Sequence, residues 1–269
     1  MHENSTRDTL RVATYNIRFQ SHDDLMPGDG RLHPWAERRR AVLESIRAMD
    51  ADIVGLQEAQ TEQYRFLANE LPGYSTHVSG PVAETLDQTF LIMWKRRLFT
   101  KVDAGSAPIQ AEWPHNRRAI AWARLRLQGT GNELFAFNTH FPPGREEEEK
   151  VALCRFTADL INETAGGESP VLLTGDLNIH ADDSEGIRVL RDAAGLHHPW
   201  DDTAASLQFT WKGWGQAPGT RDNIDWILYR RPLEAVSVER PGLTEQTPAP
   251  SDHLPICAML ACRAKTGST

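Results

Sequence analysis

Six short clusters of chemically capable side chains stand along the chain: Asn16 in TYNIR, Gln57-Glu58, Asn138-Thr139-His140, Asp176 and Asn178 in GDLN, Asn223 and Asp225 in NIDWIL, and Ser251-Asp252-His253 in SDHLP. Carboxylate and amide oxygens are hard ligands that suit Mg²⁺ or Mn²⁺, whereas zinc prefers histidine and cysteine. Imidazoles and further carboxylates beside such an ion can orient or move protons. This is the equipment that water needs to attack phosphorus: charge neutralisation, a positioned nucleophile and help for the leaving oxygen. Taken singly, the clusters carry little. A Gly-Asp after a strand is usually a turn, Ser-Asp before an apolar run is usually a cap, and a lone His140 is usually a hydrogen-bonded core residue. Asp225 is odder, a carboxylate between Ile224 and Trp226 that needs a partner if it is buried.

What the clusters share is their place at the ends of short apolar runs. Residues 10–16, 52–58, 89–94, 133–140, 170–178, 223–229 and 254–260 read as strands. Residues 119–127 alternate cleanly, with Ala119, Ala121, Ala123, Leu125 and Leu127 on one face, as a strand with one buried side does. Between the strands, Val42, Ile46 and Met49, with Leu43 beside them, mark a helix in WAERRRAVLESIRAMD, and the segment after Arg145 turns from acidic to apolar at helical spacing. Glu146 to Glu149 would stand at that helix start, where they favour the macrodipole. The helices are too few for a regular βαβ repeat, so the expected class is α+β, two packed sheets with helices outside. No linker or repeat divides the chain. Residues 10–262 are expected to form a single domain, with 1–9 a disordered or extended N-terminus and 263–269 a C-terminal tail.

In order, TYNIR, QE, NTH, GDLN, NIDWIL and SDHLP resemble the endonuclease/exonuclease/phosphatase superfamily, the DNase-like metal-dependent phosphoesterases. The resemblance runs from Leu10 to about Leu260, and GDLN and SDHLP are its most specific pieces. It implies a four-layer αββα sandwich of two mainly antiparallel sheets. It also implies Mg²⁺ or Mn²⁺ held by Glu58, with Asn16 close by and Asp252 next to the metal, bound directly or through water. Asp176 would accept the proton of the attacking water and Asn178 would orient water and phosphate. His253 would contact a phosphate oxygen or exchange a proton, its ring held by Asp225, and His140 would be a second imidazole on the phosphate. Residue types leave open whether Asp176 or His253 is the general base; the role is assigned to Asp176. Arg117 and Arg118 are candidates for a further phosphate contact. Trp211 and Trp214, in a Gly-rich loop, either stack on a substrate ring or plug the edge of the core. His197-His198 and the group His180, Asp182 and Asp183 lack zinc-ligand spacing and read as solvated loop residues.

Composition narrows the substrate. With 29 basic and 37 acidic residues the net charge is −8, which does not suit tight non-specific grip on nucleic acid. The run FPPGREEEE after NTH would repel a long polyanion near the site. The expectation is therefore a small phosphorylated molecule, with DNA or RNA as the runner-up and a catalytically silent binding module of the same fold behind both. No apolar stretch would span or dip into a membrane, no obligate protein partner is evident, and a cytoplasmic monomer is expected. Cys257 and Cys262 fall roughly 16 Å apart on opposite faces of one strand, so buried free thiols are expected there and at Cys154.

Overall fold

The computed structural model describes residues 9–20, 33–79, 89–109, 118–180, 184–203, 209–214, 223–241 and 249–262. The strands are β1 (Thr9–Asn16), β2 (Ile53–Ala59), β3 (Tyr74–Ser79), β4 (Thr89–Lys95), β5 (Phe99–Ile109), β6 (Arg118–Leu127), β7 (Glu133–His140), β8 (Val171–Asp176), β9 (Leu196–His197), β10 (Asp225–Arg230), β11 (Leu233–Glu239) and β12 (Ile256–Cys262). The helices are α1 (Trp35–Met49), α2 (Thr61–Glu70), α3 (Glu147–Ala165), α4 (Glu185–Ala194) and the single turn α5 (Pro199–Asp202).

Two six-stranded sheets run in the orders β11-β12-β1-β2-β4-β3 and β5-β6-β7-β8-β10-β9. Each has one parallel pair, β1 with β2 and β7 with β8, and otherwise antiparallel neighbours. Each parallel pair is connected through a helix, α1 or α3, as a crossover requires. The first and last strands pair, Thr9 opposite Ala261.

Three apolar clusters define the layers. Leu10, Val12, Ile53, Phe90 and Leu260 of one sheet meet Ala121, Leu125, Leu134, Leu172 and Ile227 of the other between the sheets. Val42, Ile46 and Met49 of α1 and Leu67 of α2 cover the outer face of the first sheet. Cys154, Ala158 and Ile161 of α3, with Ile187 and Leu190 of α4, cover the second. This is the expected α/β/β/α sandwich. Cys154 and Cys257 are buried free thiols. No helix among the described residues is long and apolar enough to cross a membrane.

The glutamate run has a local structural role. Glu146 and Glu149 form a capping box at the start of α3. Glu147 accepts hydrogen bonds from Ser184 Oγ (2.7 Å) and Gly186 N (3.2 Å), which fastens the start of α4. His198 corrects an expectation: it is buried rather than solvated, stacked on Trp200 and edge-on to Trp226, and it caps α5. Burial pushes its imidazole down to about 2, so it is held neutral. His180 is exposed, while Asp182 and Asp183 lie outside the described residues.

Candidate active site

Side chains alternate across a strand, so the residues facing the other sheet are read in steps of two. On β1 that face runs Leu10, Val12, Thr14, Asn16; on β7 it runs Leu134, Ala136, Asn138, His140; on β8 it runs Leu172, Thr174, Asp176. On β10, which runs antiparallel, it reads Asp225, Ile227, Tyr229 from the same end. The gap between the sheets therefore changes from an apolar core, through a layer of amides and hydroxyls, to carboxylates and imidazoles at one rim. Strand register sets the rim side by side, with His140 opposite Asp176 and Asp176 opposite Asp225. Glu58 joins them by a different device. Pairing of β2 with β4 slips between Leu56 and Ala59, and Glu58 takes φ +65°. A bulge of this kind re-aims a side chain, and a non-glycine residue with positive φ marks a backbone held by its surroundings.

The middle layer is fully hydrogen-bonded. Gln57 Nε2 donates to Thr14 Oγ1 (3.1 Å) and Asn138 Oδ1 (2.7 Å), and Thr174 Oγ1 donates to the same Asn138 oxygen at 3.1 Å. Asn138 Nδ2 donates to the carbonyls of Leu56 and Leu91, across to the first sheet. Above it, Asn16 Nδ2 bridges Glu58 Oε1 (3.1 Å) and Asp176 Oδ2 (2.9 Å), and Phe19 N donates to Glu58 Oε2. Asp176 Oδ1 accepts from Asn178 N, while Asn178 Nδ2 is committed to Phe141 O. His253 Nδ1 lies 2.8 Å from Asp225 Oδ2, and its Nε2 is 3.7 Å from Asp176 Oδ2. Ser251 Oγ, bonded to Asn16 O at 2.7 Å, fixes the SDH turn to the end of β1.

The electrostatics follow from burial. Burial alone would raise the Glu58 carboxyl, but the charges of Arg18 and Arg118, the Asn16 amide and the Phe19 N–H outweigh it and hold Glu58 below its ordinary value. Burial and the neighbouring Asp225 charge push Asp176 up to about 7, against the pull of His253 and two amide donors. Burial would lower His253, yet the charge and hydrogen bond of Asp225 lift it to about 10. Burial and Arg118 drive His140 well down, so it is neutral.

The rim offers ligands for a cation. Glu58 and Asp176 are two buried carboxylates sharing one amide donor, and their oxygens are hard ligands that suit Mg²⁺ or Mn²⁺. Asp176, Asp225 and His253 also bring one ligand atom each within 4.8 Å of one another. In that group His253 Nδ1 is held by Asp225 Oδ2, and its Nε2 faces Asp176 Oδ2.

A model of the endonuclease/exonuclease/phosphatase family matches residues 13–253, nearly the whole span of the sandwich and all six clusters. The chain belongs to that family. No curated protein matches the sequence. Among solved structures, the chain is similar to an endonuclease/exonuclease/phosphatase from Bacteroides vulgatus, at 23% identity and TM-score 0.81 over 95% of this chain and 99% of that one. It is similar to a mannosyl-6-phosphatase of Bacteroides thetaiotaomicron, at 21% identity and TM-score 0.77 over 94% and 99%. It is also similar to the human Nocturnin catalytic domain, solved with bound sulfate, at 20% identity and TM-score 0.74 over 94% and 93%. At these identities the likeness is one of fold.

In this member of the endonuclease/exonuclease/phosphatase family, Asn16, Glu58, His140, Asp176, Asn178, Asp225, Asp252 and His253 gather at one rim. Asn16 faces the carboxylates with its Nδ2, while its Oδ1 accepts from Arg18 N. Arg117 lies outside the described residues, and its neighbour Arg118 is the arginine placed in the site, against His140. Trp211 is half-buried and bridges to His253 through its backbone. Trp214 is buried, stacked flat on His33 with centroids 3.8 Å apart, so of its two readings the core plug is the one the packing supports. Sequence reasoning missed Arg38 and Thr174. Thr174 is two residues before Asp176, and the period of two could have found it.

Gly55 tests the middle layer. A Cβ there would lie 2.0 Å from Thr174 Oγ1 and 2.6 Å from Asn138 Oδ1. Gly55→Ala is expected to cost about 1–3 kcal/mol through overpacking, read as a lower urea midpoint at unchanged slope. Parent-like stability would show that the layer yields easily.

Proposed function

We propose that this chain is a Mg²⁺- or Mn²⁺-dependent hydrolase that cleaves a phosphoester or phosphodiester bond by attack of water on phosphorus. The observation that carries the reading is the convergence of Glu58, Asn16, His140, Asp176 and His253 at one buried rim, held by both sheets. Glu58 would hold the ion, with Asn16 and Asp252 beside it. The bound ion supplies neutralisation of phosphate charge and stabilisation of the leaving oxygen. Asp176 accepts the proton of the attacking water, while Asn178, with Nδ2 committed to Phe141, has Oδ1 left to orient that water. His253, held by Asp225, meets the phosphoryl group or exchanges a proton with the leaving side.

For the substrate, the acidic net charge of −8 and the glutamates that follow the site strand favour a small phosphorylated molecule over nucleic acid. The similar mannosyl-6-phosphatase fits that preference. The glutamates' service to α3 and α4 leaves their negative charge in place. Trp211, next to His253, is the candidate to contact the substrate beyond its phosphate.

The test is a rate panel on sugar phosphates, a chromogenic diester and oligonucleotides, with Mg²⁺, with Mn²⁺ and with EDTA. Activity should vanish with EDTA and return with either ion, and the best small ester should exceed every oligonucleotide in kcat/KM. Glu58→Gln should need at least about tenfold more Mg²⁺ for half activity, since outer contacts alone typically change metal affinity 10–100-fold. An unchanged titration at unchanged rate would remove Glu58 from the metal site. Faster cleavage of oligonucleotides would overturn the small-substrate reading.

A further inference from the structure

His140 and His253 approach the same oxygen, Asp176 Oδ2, through Nε2 at 3.4 and 3.7 Å. Their Nδ1 atoms face opposite chemistry. That of His253 meets a carboxylate oxygen of Asp225, so it carries a proton. That of His140 meets Arg118 Nη1 at 2.5 Å, inside hydrogen-bond distance, with Glu58 Oε1 farther off at 4.0 Å. A guanidinium has donors only and does not deprotonate in a protein, so His140 Nδ1 must be the acceptor. The one ring proton of His140 then sits on Nε2, aimed at Asp176. A second proton on Nδ1 would set N–H against N–H and place two cations in contact. Both partners are buried, Arg118 at 6% exposure and His140 at 3%, so solvent would relieve little of that repulsion.

We propose that Arg118 is a positioning residue that holds His140 Nδ1 as an acceptor and so keeps the ring proton on Nε2, making His140 a fixed hydrogen-bond donor. Two imidazoles around one carboxylate thereby take different roles, and the difference is set by what stands behind each ring. That His140 donates to a phosphoryl oxygen rests on the phosphoester reading; the tautomer does not.

The experiment is long-range ¹H–¹⁵N correlation of the ¹⁵N-histidine-labelled chain with Mg²⁺ and no substrate, the His140 signals being assigned by their loss in His140→Asn. The wild type should show a protonated Nε2 and an unprotonated Nδ1. Arg118→Met should release that lock and put a proton on His140 Nδ1 in part of the population, with the His253 signals unmoved. Arg118→Lys, which keeps one cationic donor, should restore the Nε2–H pattern. A wild-type His140 protonated on Nδ1 overturns the proposal, as does an Arg118→Met spectrum that keeps the wild-type pattern. If Arg118→Met does not fold, the wild-type and Arg118→Lys spectra decide by the same criterion. The expected spectra without hydrolysis of any phosphoester would sink the functional reading alone; hydrolysis with Nδ1–H would sink only this proposal.

Discussion

His253→Ala should lower kcat by about 10²–10⁴, the range for loss of a positioned proton-transfer group, and adding Asp225→Asn should cost little more. Asp225 Oδ2 sits 2.8 Å from His253 Nδ1, and Asp225 is fully buried at the start of β10. An aspartate there acts through the ring it holds, so once the ring is gone it has nothing left to orient. Asp225→Asn alone should give a large part of the loss, because an amide no longer stabilises the imidazolium. Linkage gives the accompanying pH dependence. His253 is raised from 6.5 to about 10, so its contribution to stability is full below about 6.5 and is lost as pH rises through about 10. In Asp225→Asn that window should narrow from its alkaline end. The measurement is steady-state kinetics of both single variants and the double variant, with urea titrations at pH 6 and pH 9. Fully multiplicative losses in kcat would mean that the two residues act independently.

The strands that sequence alone revealed are the interior ones, and the four it missed, β3, β5, β9 and β11, are the outer strands of the two sheets. The reason is physical. An interior strand with sheet or helix on both faces reads as a continuous apolar run, as in VLLTGD or TFLIMWK. An edge strand is half solvated and tolerates polar residues, as in YSTHVS, or Gly105 and Pro108 within β5. The residues of the candidate site stood out for the converse reason: carboxylates and imidazoles that interrupt apolar runs have a cost unless they serve a purpose. What stayed hidden depends on contacts between distant segments. The bulge that turns Glu58 inward has no local signature. Arg117 and Arg118 are indistinguishable until the start of β6 is known. His198 is buried by Trp226, far away in the chain. Arg38 did leave a signal, because it falls four residues before Val42 on the apolar stripe of α1, but in the run ERRRA it reads as surface charge.

Arg38→Met should therefore destabilise the protein far more than the same change at its neighbour Arg40. Arg38 is 1% exposed, and its guanidinium donates to the carbonyls of His33, Ile17, Arg18, Phe19 and Pro250. Burial lowers its pKa to about 10, so it remains charged at neutral pH. Methionine fills much the same volume but donates nothing, and each buried acceptor left unpaired costs on the order of 1–3 kcal/mol. Even with some carbonyls re-solvated, a loss of about 3 kcal/mol or more is expected, roughly 6–12 °C in Tm for a chain of this size. Arg40 is largely exposed and pairs with Glu70, a contact worth about 0–1 kcal/mol. The loss also reaches the site. Residues 17 to 19 end in the Phe19 N–H that holds Glu58 Oε2, and Pro250 lies two residues before Asp252. The Mg²⁺ needed for half activity should therefore rise in Arg38→Met at temperatures where the variant is still folded, and stay unchanged in Arg40→Met. Equal stability of the two variants would mean that the five carbonyls find water as readily as they find Arg38, and the clamp between the end of β1 and the SDH turn would then have to lie elsewhere, with the Ser251 to Asn16 hydrogen bond as the next place to cut.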